Sequence, residues 1–131
     1  MPQLAKGGKW VFGWCVVGPD CEIQIPSQAY AEYGFLAGET VIIVRGSQRS
    51  GGFGIWRQDV LAQAQISLQL RCLGRARIGE EGRVTLSQEA GVQPGERLLA
   101  ARGSGLALGF LQRGPIYEEA MEHAEVEIFA S

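Results

Sequence analysis

The sequence predicts a mostly β fold with short helices, written as two tandem repeats that pack as one body. Two observations carry this reading. Nineteen glycines stand among 131 residues, about twice the usual share. They are scattered without period, as many tight turns between short strands require. The chain also lies over itself. Val17-Gly18-Pro19-Asp20-Cys21-Glu22-Ile23-Gln24-Ile25 matches Ile78-Gly79-Glu80-Glu81-Gly82-Arg83-Val84-Thr85-Leu86 at a shift of 61, and Gly13 falls on Gly74. Further on, Gly34, Gly38-Glu39, Arg45-Gly46-Ser47 and Gly52-Phe53 match Gly91, Gly95-Glu96, Arg102-Gly103-Ser104 and Gly109-Phe110 at a shift of 57. No linker rich in Pro, Gly or Ser separates the copies.

Each copy reads in the same order. Trp10–Val17 and Arg71–Ile78 are first strands, and Glu22–Ile25 and Arg83–Leu86 are second strands. Glu80-Glu81-Gly82 suits a three-residue hairpin loop with Gly in the left-handed position; Pro19-Asp20-Cys21 is its poorer counterpart. A helix follows in the first copy, with Pro26 fitted to its first turn and Gly34 to its end. The shift falls from 61 to 57 here, so the second copy lacks four residues, about one helical turn. It keeps Ser87-Gln88-Glu89-Ala90-Gly91, a cap and a single turn. Thr40–Arg45 and Arg97–Arg102 are third strands; Gly52–Arg57 and Leu106–Gln112 are fourth strands. Helical stretches are appended at Gln58–Ala64 and Pro115–His123. Alternating segments follow, through Ile66, Leu68, Leu70 and Cys72 in one copy and Val126 and Ile128 in the other. The organisation is therefore a tail, 1–9, a first repeat, 10–70, and a second repeat, 71–131.

Composition narrows the function classes. With 46% hydrophobic and 20% charged residues, the chain has the make-up of a folded globular protein. A net charge of −2 excludes a global basic field, so nucleic-acid binding would need locally clustered arginines. No stretch approaches the ~20 apolar residues of a membrane span, and the start lacks a signal-peptide apolar region. Cys15, Cys21 and Cys72 form no CxxC pair, which argues against a disulfide framework or zinc site. The expected location is the cytoplasm.

A β-hairpin, a short helix opened by Ile25-Pro26, then Gly-Glu and a second hairpin is a specific ordering. It occurs as Glu22-Ile23-Gln24-Ile25-Pro26, Gly34 and Gly38-Glu39-Thr40-Val41-Ile42-Ile43-Val44. It recurs as Gly82-Arg83-Val84-Thr85-Leu86, Gly91 and Gly95-Glu96-Arg97-Leu98-Leu99. This order resembles the AbrB/MazE/SpoVT-like family of swapped-hairpin DNA-binding domains, over roughly residues 10–57 and 71–113. In that family two such units, usually from two chains, interleave into one body. With both on one chain, the resemblance implies two tandem ββαββ repeats interleaved as a barrel-like pseudo-dimer, as in the MraZ-like branch, each with an appended helix. The basic residue the family carries after the hairpin glycine is Arg83 in the second copy. The first copy has Cys21-Glu22 there, and its helix Ser27-Gln28-Ala29-Tyr30-Ala31-Glu32 has no basic residue. DNA binding is therefore implied for the second copy alone.

Strand parity separates the copies further. In the second, Arg71, Leu73, Arg75 and Arg77 share one face, with Cys72, Gly74, Ala76 and Ile78 opposite. A hairpin around Glu80-Glu81-Gly82 sets Thr85 against Arg77 and Arg83 on the arginine side. Residues 71–113 hold seven Arg and four Glu, while 114–131 holds five Glu and no Lys or Arg. Arg71, Arg75, Arg77 and Arg83 thus form a candidate DNA contact, since guanidinium binds phosphate or guanine edges bidentately. The competing reading pairs them with Glu118, Glu119, Glu122, Glu125 and Glu127. At the aligned positions the first copy has Trp10, Phe12, Trp14 and Val16, with an apolar opposite face. A strand apolar on both faces must be covered on both. The cover for Trp10, Phe12 and Trp14 is either the appended helices (Val60, Leu61, Ile116, Tyr117, Met121), a second copy of the chain, or another partner.

No catalytic constellation emerges. His123 stands alone with Glu119 one turn earlier, and Gly51-Gly52-Phe53-Gly54 and Arg102-Gly103-Ser104-Gly105 lack the Lys-Ser/Thr ending and following helix of a P-loop. No cofactor is implied. The expected function is a small transcriptional regulator that binds duplex DNA through the second-copy arginines and gains affinity as a homo-oligomer. The alternative is a protein-interaction or assembly module, antitoxin-like or scaffolding, that kept the fold and lost DNA binding.

Overall fold

The computed structural model describes residues 10–63, 69–102 and 107–130. The tail 1–9, Ala64, Ile66, Leu68, the Gly103-Ser104-Gly105 turn and Leu106 lie outside the described residues. The first copy contributes β1 (Val11–Val16), β2 (Glu22–Gln24), α1 (Ser27–Glu32), β3 (Thr40–Arg45), β4 (Phe53–Arg57) and α2 (Gln58–Ala62). The second contributes β5 (Cys72–Arg77), β6 (Arg83–Thr85), β7 (Arg97–Arg102), β8 (Leu108–Leu111), α3 (Pro115–Met121) and β9 (Ile128–Ala130). Where α1 stands in the first copy, the second has a single 3-10 turn at Gln88–Ala90, the shortening that four missing residues impose. The fold is mostly β with short helices, and no helix among the described residues is long and apolar enough to cross a membrane.

Strands pair across the copies. Seven strands form one sheet in the order β5-β3-β4-β8-β7-β1-β9, and β2 pairs with β6 separately. Thus β1 lies against β7 and β5 against β3, each first strand on the other copy's third strand. The hydrogen bonds repeat at the two ends. Val17 N–H donates to Glu96 O and Ile78 N–H to Glu39 O, both at 2.9 Å. Gly95 N–H donates to Val17 O at 2.7 Å and Gly38 N–H to Ile78 O at 2.6 Å. Phe53 faces its own counterpart Phe110 across β4 and β8, rings stacked 4.9 Å apart, and Ile23 faces its counterpart Val84. Equivalent residues meeting each other is what a two-fold relation produces. The sheet does not close: β5 and β9 are its two ends, so the expected barrel is an open sheet.

The main core lies between one face of the sheet and the β2–β6 pair with α1, and includes Cys15, Ile23, Ile43, Phe53, Ile55, Val84, Leu98 and Phe110. Burial pushes the Cys15 thiol up to about 12, so it stays protonated, 3.4 Å from the Gln24 carbonyl. The opposite face carries two smaller clusters. One packs α3 on Val11, Trp14 and Leu99; the other packs α2 on Ile42, Val44 and Trp56.

Strict alternation fails at one place in each copy. Gly13 and Gly74 both have φ of +153°, and the β1–β7 and β5–β3 ladders slip beside them. Each slip inserts one extra residue, Phe12 or Leu73, and so reverses which side chains face the core. Phe12 therefore joins Cys15 and Val17 in the main core, while Val11 and Trp14 face α3. Leu73 packs on the main core rather than beside the arginines. The Trp10–Phe12–Trp14 row read from parity is split. Phe12 and Trp14 are buried within the chain, while Trp10 is part exposed. Trp14 meets the ring of Tyr117 edge-on at 4.9 Å, and Arg97 lies over its face at 4.7 Å. Of the helical residues expected to cover the row, Ile116 and Tyr117 do so. Val60 and Leu61 cover Ile42 and Trp56 instead, and Met121 is exposed.

Candidate nucleic-acid interface

The second-copy arginines start from β5, an end strand of the sheet, and from β6 in the separate pair. Opposite Arg75 on β3 stands Ile42, and opposite Arg77 stands Thr40. The bulge leaves Arg75 and Arg77 on one exposed face, two residues apart. The Arg75 side chain makes no hydrogen bond or ion pair with any described residue. Arg77 is steadied by one bond, Nε–H to the Gly38 carbonyl at 3.2 Å. That carbonyl belongs to the Gly38 turn, whose amide binds the Ile78 carbonyl. The strand exchange itself therefore holds the Arg77 side chain.

Arg83 opens β6 beyond the turn Glu80–Gly82, in which Glu81 takes φ of +64° and Gly82 +77°. Its register partner is Gln24, and its guanidinium is 4.0 Å from the Glu81 carboxylate. Gln24 in turn donates to the Glu81 carbonyl. The hairpin expected between β5 and β6 amounts to one bridge, Ile78 to Val84, so Arg77 lies across from Thr40 rather than Thr85. Arg83 is thus on a different pair of strands from Arg75 and Arg77. Arg71 precedes β5 and turns away from the hairpin tip, donating Nη2–H to the Arg45 carbonyl at 2.7 Å.

Charge around these groups is mixed. Glu80 and Glu81 share the turn region with Arg83, whereas Arg75 and Arg77 have no carboxylate partner among the described residues. The acidic C-terminal segment does not neutralise the arginines. Glu119 and Glu125 instead flank His123, at 3.4 and 2.6 Å, and their hydrogen bonds, led by that of Glu125, raise the imidazole pKa above its usual value.

The structure also gathers arginines that strand parity did not single out. Arg45 ends β3 beside Arg71, and Arg113 reaches the same β3–β4 turn, its Nη2–H on the Gln48 carbonyl at 2.9 Å. The signal was present in the repeat: Arg45-Gly46-Ser47 matches Arg102-Gly103-Ser104, although a match alone does not say which arginine is left without a counter-charge.

No model of a known protein family matches the chain, and no curated protein does. Among solved structures the chain is similar to the solution structure of PHS018 from Pyrococcus horikoshii. The two are 21% identical, over 80% of this chain and 98% of that one, with a TM-score of 0.40.

Proposed function

We propose that the chain is a small transcriptional regulator of the AbrB/SpoVT-like kind, in tandem pseudo-dimer form, that binds duplex DNA through Arg75, Arg77 and Arg83, with help from Arg71. The observation that carries this reading is the pair Arg75 and Arg77, exposed side by side on an end strand with no carboxylate partner among the described residues. Arg75 offers five guanidinium N–H donors and Arg77 four beyond its bond to Gly38, and such groups suit phosphate oxygens and guanine edges. The exchange of first strands between copies supports the swapped-hairpin assignment, as does the matching of turn glycines: φ is +69° and +71° at Gly34 and Gly91, and +85° and +87° at Gly38 and Gly95. One basic hairpin offers few phosphate contacts, so useful affinity calls for two or more chains side by side on the duplex.

Duplex binding measured across a salt series tests this. Affinity should fall linearly in log–log form, and the double variant Arg75→Ala/Arg77→Ala should flatten the slope by about 2. No binding at low salt, or an unchanged slope in the double variant, overturns the reading. The second reading, an assembly module without DNA binding, draws on the open sheet end at β5 and on Leu70 just before it, which is 80% exposed. It requires self-association that persists while duplex binding is absent.

A further inference from the structure

Where β3 turns into β4, Arg45, Ser47 and Ser50 meet Arg71 around a cleft of about 240 Å³, with Trp56 and Phe110 in its wall. No Asp or Glu among the described residues lines it. Arg71 is tied to the end of β3 by its bond to the Arg45 carbonyl, which uses one of five N–H groups. The Arg45 guanidinium has no hydrogen-bond or ion-pair partner among the described residues. Ser47 and Ser50 hold their hydroxyls 2.9 Å apart at the same turn.

The other half of the molecule shows what a neutralised version of this corner looks like. The counterparts of Arg45 and Arg71 are Arg102 and Trp10. Arg102 grips the Glu32 carboxylate with both Nε and Nη2, the former at 2.7 Å, and lies 5.9 Å from the centre of the Trp10 ring. The residue matching Glu32 is Glu89, whose carboxylate bonds to its own backbone and to Ser87. One corner therefore has an arginine satisfied by a carboxylate and a ring. The other has two arginines and, among the described residues, no counter-charge; a bound anion would relieve their mutual repulsion.

We propose that this cleft is an oxyanion site that takes a phosphate group between Arg45 and Arg71. Recognition is by guanidinium and hydroxyl rather than by backbone amides. The Gly46 and Gly51 amides are committed to the Gly52 and Ser47 carbonyls, at 3.1 and 2.8 Å, which is why the turn lacks P-loop character. The paired arginines fit a tetrahedral dianion through charge-assisted bonds. The phosphate comes either from a free phosphorylated small molecule or from a nucleic-acid backbone. Only Arg71 is shared with the hairpin reading, so Arg45 separates the two ideas.

The test is titration of the full chain with inorganic phosphate at constant ionic strength, followed by amide and arginine Nε–H resonances. Saturable shifts are expected at Arg45, Arg71 and the 46–52 turn, with a Kd at or below about 1 mM. Arg45→Gln, whose side chain supports no described contact, should weaken binding roughly tenfold or more, and so should Arg71→Gln. Arg75→Gln should leave it unchanged. Phosphate shifts that do not saturate, that spread over Arg75, Arg77 and Arg83, or that survive Arg45→Gln in a folded variant overturn the site. A short duplex that displaces phosphate assigns the site to backbone phosphate. Simultaneous occupancy assigns it to a free ligand. If duplex binding fails altogether while phosphate still binds, the hairpin reading falls and the cleft stands.

Discussion

His123 is the residue whose chemistry the structure changes most. Sequence spacing alone offers it Glu119, one turn back. The fold adds Glu125, because the chain doubles round after α3 and brings that carboxylate within 2.6 Å. Both hydrogen bonds favour imidazolium, Glu125 foremost, so the folded pKa lies above the ordinary 6.5. A raised folded value means a contribution to stability that is complete below about 6.5. It is lost as pH rises through the folded pKa. The melting temperature should therefore decline on the way from about pH 6 to about pH 8 more in the native chain than in His123→Asn. Coincident pH profiles for the two would refute the assignment. The cation also stands just past the end of α3, two residues beyond Met121, where it meets the negative end of the helix.

At the scale of elements, the two glycine bulges are equivalent in conformation and unequal in surroundings. A Cβ on Gly13 would lie 2.6 Å from the Glu127 carbonyl and 2.7 Å from the Phe129 ring. On Gly74 the nearest atom is Ser87 Oγ at 3.8 Å. Gly74→Ala should cost only the backbone strain of its φ, on the order of 1–3 kcal/mol. Gly13→Ala should cost more and dislodge β9, read as faster amide exchange at Ile128–Ala130. Equal losses with β9 undisturbed would contradict this. The same bulges mark where reading the sequence stopped short. Strand positions, the shortened second helix and the paired turns were legible because glycines and Ile-Pro write them locally. The face assignment of Phe12 and Leu73 was not, because alternation assumes an unbroken ladder and a φ of +153° leaves no mark that distinguishes it from an ordinary turn glycine. Of the candidate contact residues, Arg75, Arg77 and Arg83 are exposed as parity suggested. Arg71 turned away, since its partner, the Arg45 carbonyl, is far off in sequence.

For the whole molecule, the exchange of strands makes each copy incomplete by itself. Among the described residues β1 pairs as a strand with β7 and β9, and β5 with β3, so each first strand finds its ladder in the other copy. β1 is buried along nearly all its length, Val11 and Cys15 to 0% exposure. A chain divided between residues 66 and 67 should therefore give two halves that are each without cooperative unfolding. Mixing them should restore the native spectrum and a single melting transition. A first half that folds by itself would show that its strands find other partners. Charge is also unequal between equivalent corners: Arg102 of the second copy is surrounded by Glu32 and Trp10 of the first, while Arg45 of the first copy has no carboxylate partner among the described residues. Near-neutrality overall, at −2, conceals that difference.

The pairing of β1 with strands supplied by the other copy has a consequence for biosynthesis. Synthesis runs from the first copy to the second, so Val11–Val16 leaves the ribosome well before Arg97–Arg102 exists to cap it. For that interval an aromatic, uncharged, strand-forming segment has no native place to go, which is the condition for pairing with a neighbouring nascent chain. Two chains on one message could then trade first copies and mature as an entangled dimer carrying the same contacts as the monomer.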